Sequence, residues 1–163
     1  MRFMILVTAT PDSEAGVMPA EPLIAAMAQY HEELARAGAL VDASGLQPTS
    51  KGWRIEYSGE RRSVTDGPFG ETKELIAGHT IIQVPSRQEA LEWTLRFPNP
   101  AGAGKAAEIE ARQLVELDDF PPSQAIDRFR SMGIGTDGWA PDRPRRTAED
   151  VAGGGTDTSG APA

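Results

Sequence analysis

The chain has 163 residues, 39% of them hydrophobic and 25% charged, which is enough for one ordinary hydrophobic core but short for two. It contains no cysteine, so disulfides, thiolate metal sites and cysteine nucleophiles are excluded. The formal net charge of -8 opposes a phosphate backbone, and we therefore expect no nucleic-acid partner.

The chain begins with a predicted strand followed by a predicted helix. Residues 2–8 carry apolar side chains on both sides, which is typical of a central strand covered on both faces. Between residues 21 and 37 the apolar side chains recur at helical spacing, which predicts a helix with one stripe against the core. The stripe consists of Leu23, Met27, Tyr30 and Leu34.

Three strands are predicted next, over residues 40–46, 53–57 and 61–66. In the middle one, apolar side chains alternate with charged ones, so we expect a hairpin with one buried and one solvent-facing side. The apolar members are Trp53, Ile55 and Tyr57.

A strand, a helix and a strand complete the pattern. Residues 78–84 form the strand, and the helix follows over 86–97, with Ser86 and Glu89 at capping-box spacing. Leu91, Thr94 and Leu95 share one side of this helix. The last strand is expected over residues 108–117, with Ile109, Ala111, Val115 and Leu117 on one side.

This order predicts an α+β fold in which an antiparallel sheet carries two helices on one face, as in a βαββαβ plan with an extra hairpin. The other face of the first strand then needs cover, which a homodimer packed sheet against sheet would supply. We expect one domain over residues 1–120 and a tail over 121–163. The tail has a short helix at 123–132 and a flexible end, VAGGGTDTSGAPA.

The first apolar run is too short for a signal peptide or a membrane span. We therefore expect a cytoplasmic protein that does not contact a membrane.

Four stretches of the sequence resemble the DGPF-motif group of YCII-related proteins. They are EAGVMP at 14–19, AGALVDASGLQPTSKG at 37–52, VTDGPFGETKELIAG at 64–78 and SRQEALEWTLRFPNP at 86–100. The resemblance spans about residues 1–120 and implies a ferredoxin-like fold assembled as a dimeric α/β barrel, with a cleft near the dimer interface.

The resemblance supports two functional hypotheses. Some relatives in the wider superfamily are enzymes acting on small organic substrates, so the first is a homodimer that binds or transforms a small organic molecule by acid-base chemistry beside the DGPF loop. DGPF proteins are also found beside or fused to extracytoplasmic-function sigma factors. The alternative is therefore a non-enzymatic regulatory or interaction module with a protein partner.

Asp66 is the first candidate for catalysis because the turn residues that follow it would hold its carboxylate rigidly. It would act as a general base or orient a ligand; structurally, its carboxylate would instead accept hydrogen bonds from its own loop. Glu71 and Lys73 in the same loop are candidate substrate-binding residues, with a solvated ion pair as the alternative.

The two histidines are the other candidates. His31 borders the apolar stripe of the first helix and would pair with Asp66 in catalysis or serve as a hydrogen-bonded helix residue. His79 would line the barrel and bind substrate, or pack. A carboxylate pair of Asp42 with Asp66 requires their strands to be neighbours. No metal-ligand cluster is evident, and we expect neither a metal nor a cofactor.

Overall fold

The computed structural model describes residues 1–70 and 75–135. Its strands are β1 (Arg2–Thr8), β2 (Leu40–Gly45), β3 (Trp53–Ser58), β4 (Arg61–Asp66), β5 (Ile76–Gln83) and β6 (Ile109–Gln113). Its α-helices are α1 (Pro11–Glu14), α2 (Glu21–Arg36), α3 (Arg87–Leu95) and α4 (Gln124–Ser131). Single 3-10 turns lie at Thr49–Lys51 and Leu117–Asp119.

The main sheet has four antiparallel strands in the order β2-β5-β1-β6. Ile5 at its centre lies opposite Thr80 of β5 and Ala111 of β6. β3 and β4 form a separate two-stranded sheet. The predicted α+β class, the ferredoxin-like strand order and the extra hairpin are confirmed, while the dimer stays a prediction.

The hydrophobic core lies between one face of the sheet and helices α2 and α3. Ile5 and Ile82 from the sheet and Leu34 from α2 are fully buried, and Ala90 brings α3 into the same cluster. Each large aliphatic side chain buried in this way contributes about 1.5–3 kcal/mol to folding. The predicted stripe on α2 is confirmed in its second half, since Tyr30 is also buried.

The predicted buried side of the hairpin is wrong. Trp53, Ile55 and Tyr57 are 66%, 43% and 69% exposed, and Val64 on the facing strand is 64% exposed. The alternation does place these side chains on one face, because Ile55 pairs with Val64, but no described part of the chain covers that face.

Two further expectations need correction. On α3, Leu91 and Leu95 are exposed, because the face against the core carries Ala90 and Trp93 instead. β6 ends at Gln113 rather than at 117, because its partner β1 begins at Arg2 and offers no further backbone groups beyond the Leu114 N–H bond to the Arg2 carbonyl.

The sheet face opposite the helices is called here the open face. His79 on β5 lies between Ser44 of β2 and Leu6 of β1, and Leu6 in turn lies opposite Glu110. On the open face Leu6 is therefore flanked by His79 on one side and Glu110 on the other.

The segment after the last strand folds back on itself. The predicted tail helix is present as α4, and Arg130 on it pairs with Asp118. The Leu117 side chain packs against Gly135. The domain boundary at 120 stays a prediction, and the expected flexible end lies outside the described residues. No helix in the described ranges is long and apolar enough to cross a bilayer.

Candidate functional site

A cleft of about 620 Å³ opens between the first half of α2 and the ends of three strands. Its walls come from β1 and the segment after it, from residues 43–48, from the start of β5, and from Phe97 and Pro100. Most of its lining is apolar: Val17, Met18, Leu23, Ile24, Met27, Leu46 and Phe97. A largely apolar concavity with a few polar groups is the usual form of a small-molecule site.

His31 is the side chain in this cleft with the clearest chemical potential. It follows Met27 by one helical turn, and its Nδ1 lies 2.7 Å from the Met27 carbonyl oxygen. A carbonyl can only accept, so Nδ1 carries the proton. In the neutral ring, Nε2 then accepts a hydrogen bond from Thr80 Oγ1 at 2.9 Å.

Thr80 reaches His31 because side chains alternate along β5. Gly78, Thr80 and Ile82 face the helices and are buried, with Thr80 only 2% exposed. Gly78 must lack a side chain, since a Cβ there would lie 2.8 Å from the Ser44 carbonyl oxygen. Close packing of β2 on β5 thus presents the Thr80 hydroxyl to the half-buried imidazole.

Aromatic rings border the imidazole. Tyr30 and Phe97 meet the His31 ring edge to face, with centroids 5.4 and 6.4 Å away. Tyr30 is not free to react, because its hydroxyl donates to the Trp93 carbonyl and burial raises its pKa to about 12. The His31 ring is therefore held in place by two hydrogen bonds, one to the backbone and one to a side chain, and by two aromatic contacts.

Two other hydroxyls that line the cleft serve local structure. Ser13 and Thr10 form a capping box at the start of α1, each side chain bonding the other residue's backbone. The described residues that line the cleft include no carboxylate, lysine or arginine, and their titratable members are His31 and His79. The cleft is thus suited to an uncharged ligand.

His79 borders the cleft, but its side chain lies on the open face. It follows the opposite side of β5 from Thr80, and its Nε2 lies 3.0 Å from Asp42 Oδ2. Asp42 is therefore paired with His79 and not with Asp66, whose strand belongs to the other sheet. The two histidines occupy opposite faces of one strand.

Asp66 lies outside the cleft. It is exposed at the end of β4, opposite Trp53, and no described residue donates a hydrogen bond to its side chain. It makes no contact with His31, so the structure does not bring the predicted catalytic pair together. Glu71 and Lys73 lie outside the described residues, and the roles proposed for all three stay predictions.

The DGPF loop is tied to the 3-10 turn at Thr49–Lys51. Gly67 lies so close to Thr49 that a Cβ would stand 1.8 Å from its carbonyl oxygen. The Phe69 N–H donates to Thr49 Oγ1, and that hydroxyl donates to Glu14 at 2.6 Å. Arg54 stacks over the Phe69 ring. The motif therefore joins the hairpin to the segment that carries α1 and the cleft wall.

Sequence reasoning missed the contact between His31 and Thr80. The helical stripe did place His31 beside the sheet, but a single buried threonine in a strand gives no signal of its partner. The pair of Asp42 and His79 was equally hidden, because it depends on the register of β2 against β5 and on a bulge between Leu40 and Asp42.

A shallow groove of about 480 Å³ also runs along the exposed side of α3. It is lined by one helix and carries mainly charged and amide side chains, so it lacks the enclosure of the cleft. Of the two concavities, the cleft beside His31 is the candidate site.

Comparison with known proteins identifies a matching family. The YCII-related domain model matches residues 1–117. An uncharacterized protein from Rhizobium meliloti (strain 1021) is 31% identical over 85 residues, which are 52% of this chain and 68% of that protein.

Among solved structures, similarity extends to 5-chloro-2-hydroxyhydroquinone dehydrochlorinase from Burkholderia phenoliruptrix AC1100, in complex with 2,5-dihydroxybenzoquinone. The TM-score is 0.40 at 16% identity, over 71% of this chain and 95% of that one. The comparisons bear on the family and not on the reaction.

Proposed function

Because this chain belongs to the YCII-related domain family, as the match over residues 1–117 establishes, we propose that it binds a small uncharged organic molecule in the cleft beside His31. The ligand has an apolar body and at least one O–H group, as in a phenol or an enol. His31 exchanges that proton as an acid-base group.

The observation that carries the proposal is the placement of His31 and Thr80 in an apolar cleft. The lining offers apolar and aromatic surface for the body of a ligand, and the imidazole is its accessible proton acceptor on the helix side. A charged ligand would lack a partner there, since burying an unpaired charge costs several kcal/mol.

The chemistry follows from the hydrogen bonds of the ring. The Met27 carbonyl keeps the proton on Nδ1, which leaves the Nε2 lone pair directed at the Thr80 hydroxyl. A ligand O–H that takes the place of that hydroxyl gives its proton to Nε2. The ligand becomes an oxyanion and the ring an imidazolium, and the reverse transfer restores both.

Thr80 then holds the oxyanion. Rotation of the Thr80 side chain moves its hydroxyl away from Nε2 and makes room for the ligand O–H, and the hydroxyl can then donate to the new negative charge. A protein that only binds would use the same two groups to recognise the hydroxyl. The same arrangement of His31 and Thr80 would therefore serve proton transfer and ligand recognition.

The first test is a thermal-shift screen of uncharged phenols, quinols and enolisable ketones against three proteins: wild type, His31→Gln and His79→Gln. A ligand at one hundred times its dissociation constant stabilises the fold by about 2.7 kcal/mol, which is readily measured. We expect hits that stabilise the wild type and His79→Gln but not His31→Gln.

His79→Gln is the matched control, because it removes the same side chain from the opposite face of β5. Hits that stabilise His31→Gln as strongly as wild type would contradict the proposal. The unliganded melting temperature of each variant shows whether the substitution disturbed the fold itself.

The DGPF loop is still proposed to contribute to ligand binding beside this cleft. Asp66→Asn in the same screen asks whether its exposed carboxylate contributes to ligand binding. The association with sigma factors stays a prediction.

A further inference from the structure

One wall of the cleft is formed by a segment that has no buried side chain. We call residues 10–20 the strap; it comprises α1 and the turn that leads into α2. Gly16, Val17, Met18 and Pro19 of the strap line the cleft. None of residues 10–20 is buried, and Met18 is 78% exposed. Buried side chains therefore do not hold the strap in place.

The strap is held instead by the chain on either side of it and by one carboxylate. Just before it, Ala9 is buried, and its N–H donates to the Leu75 carbonyl at 2.8 Å. The N–H groups of residues 15–17 donate to carbonyls of residues 11–13, so the turn moves together with α1. Among the described residues, the hydrogen bonds from the strap to a distant part of the chain all come from Glu14.

The Glu14 carboxylate bonds the residue against which the DGPF loop packs. It accepts hydrogen bonds from Thr49 Oγ1 at 2.6 Å and from the Thr49 N–H at 3.2 Å. Thr49 Oγ1 in turn accepts a hydrogen bond from the Phe69 N–H at 3.1 Å. A hydroxyl that accepts one hydrogen bond donates a stronger one, because the two bonds polarise each other. The DGPF loop therefore strengthens the bond that holds the strap.

The start of α2 is the place where the strap can turn. Its N-cap residue is Ala20, which has no side-chain group to bond the first turn of the helix. The other three α-helices of the described chain are capped by side chains, those of Thr10, Ser86 and Ser123. A helix without such a cap has a less stable first turn. Residues at the ends of elements are also the usual hinges, so Ala20 is suited to this role.

We propose that the DGPF loop controls access to the cleft through a relay of hydrogen bonds from Phe69 through Thr49 to Glu14. With the relay intact, the strap lies inward, and Val17 and Met18 form part of the cleft wall. When the bonds to Glu14 break, the strap turns outward about its junction with α2 and the cleft opens. Neither Thr49 nor Glu14 lines the cleft, so both are positioning residues that act through the wall.

A ligand in the cleft and the relay favour the same position of the strap. Val17 and Met18 are exposed, and a ligand covers part of their surface only when the strap lies inward. The ligand therefore binds this form more tightly, and the relay raises the population of the same form. Such coupling is reciprocal and typically changes affinity roughly 5–150-fold. This step rests on the proposed function, because it takes the cleft as a ligand site.

The test measures the strap without a ligand and uses the absence of cysteine from the chain. Met18→Cys and Ala35→Cys are combined in one chain and carry nitroxide labels, one on the strap and one on α2 beside the buried Leu34. Pulsed electron paramagnetic resonance gives the distribution of distances between the labels, with the labelled protein diluted in unlabelled protein. We expect one narrow distribution, and a second set of distances when Glu14→Ala or Thr49→Val is added.

Matched controls separate the relay from a general disturbance of the fold. Asp12→Ala removes the other carboxylate of α1, which takes no part in the relay, and should keep the narrow distribution. Gly67→Ala displaces the DGPF loop from Thr49 and should add the second set of distances. Gly70→Ala should not, because a Cβ at Gly70 meets nothing within 4 Å.

Two results would overturn the proposal: distances that stay the same in Glu14→Ala and Thr49→Val, or an equal broadening in Asp12→Ala. A hit from the thermal-shift screen allows a second measurement, in which its dissociation constant should rise roughly 5–150-fold in Glu14→Ala. Equal affinity for wild type and Glu14→Ala would contradict the coupling of strap and ligand. A screen without hits contradicts the proposed function alone, because the label distances are measured without a ligand.

Discussion

At the scale of single residues, Gly67 shows what the DGPF motif does for the fold. Its backbone lies against Thr49 with no room for a side chain, and its N–H bonds the Gly52 carbonyl at 3.0 Å. Together with the Phe69 bond to Thr49, this fixes the base of the hairpin of β3 and β4 relative to the cleft wall. The need for glycine here comes from close approach to another backbone.

Gly67→Ala should therefore destabilise the protein by about 1–3 kcal/mol, because the loop must move away from Thr49. Gly70→Ala is the matched control from the same motif, since a Cβ at Gly70 meets nothing within 4 Å. Urea unfolding of both variants measures the difference. Equal stabilities would show that the loop does not pack on Thr49.

Ionisation of Tyr30 makes the stability of the folded protein depend on pH in the alkaline range. Burial raises its pKa from the ordinary value of about 10 to about 12. The folded protein thus holds a proton that the unfolded chain loses above pH 10, so the stability that Tyr30 supplies is complete below pH 10 and is lost as the pH rises towards 12.

Tyr30→Phe should remove this loss between pH 10 and 12. At neutral pH the variant should be less stable by about 1 kcal/mol, because the bond to the Trp93 carbonyl is gone. Denaturant unfolding as a function of pH tests both statements. An unchanged alkaline loss in the variant would show that another group causes it.

At the scale of elements, the spacing of apolar residues predicted whether a segment is a helix or a strand, but not which part of the molecule covers its apolar side. The buried half of the stripe on α2, Tyr30 and Leu34, was predicted because apolar residues recur at helical spacing over its 16 residues. The hairpin of β3 and β4 shows the limit: the alternation of Trp53, Ile55 and Tyr57 predicted an apolar face, but not that this face would be exposed. α1 has only four residues and was missed for lack of any period.

Strand ends and site contacts depend on partners distant in sequence. β6 ends at the point where its partner β1 begins, and no pattern within the sequence of β6 predicts that end. In the same way, the sequence named His31 and His79 as candidates but not Thr80 and Asp42, because the partners follow from strand pairing and helix docking. Residue chemistry selected the candidates, and tertiary structure determines their hydrogen-bond partners.

At the scale of the whole molecule, β5 separates two environments. Its helix side holds the cleft, with His31 bonded to Thr80, and its open face holds His79 bonded to Asp42. The hairpin of β3 and β4 lies apart from both in its own sheet and is tied through Thr49 and Glu14 to the segment that walls the cleft.

The central claim is that His31, held by the Met27 carbonyl and Thr80, is the ligand-binding imidazole. Long-range proton–nitrogen NMR of the two histidine rings tests it most directly, with His79→Gln to assign the signals. We predict that the neutral form of His31 carries its proton on Nδ1, and that a ligand from the screen shifts its Nε2 signal while leaving His79 unchanged. A proton on Nε2 of His31, or a ligand that shifts only His79, would contradict the account.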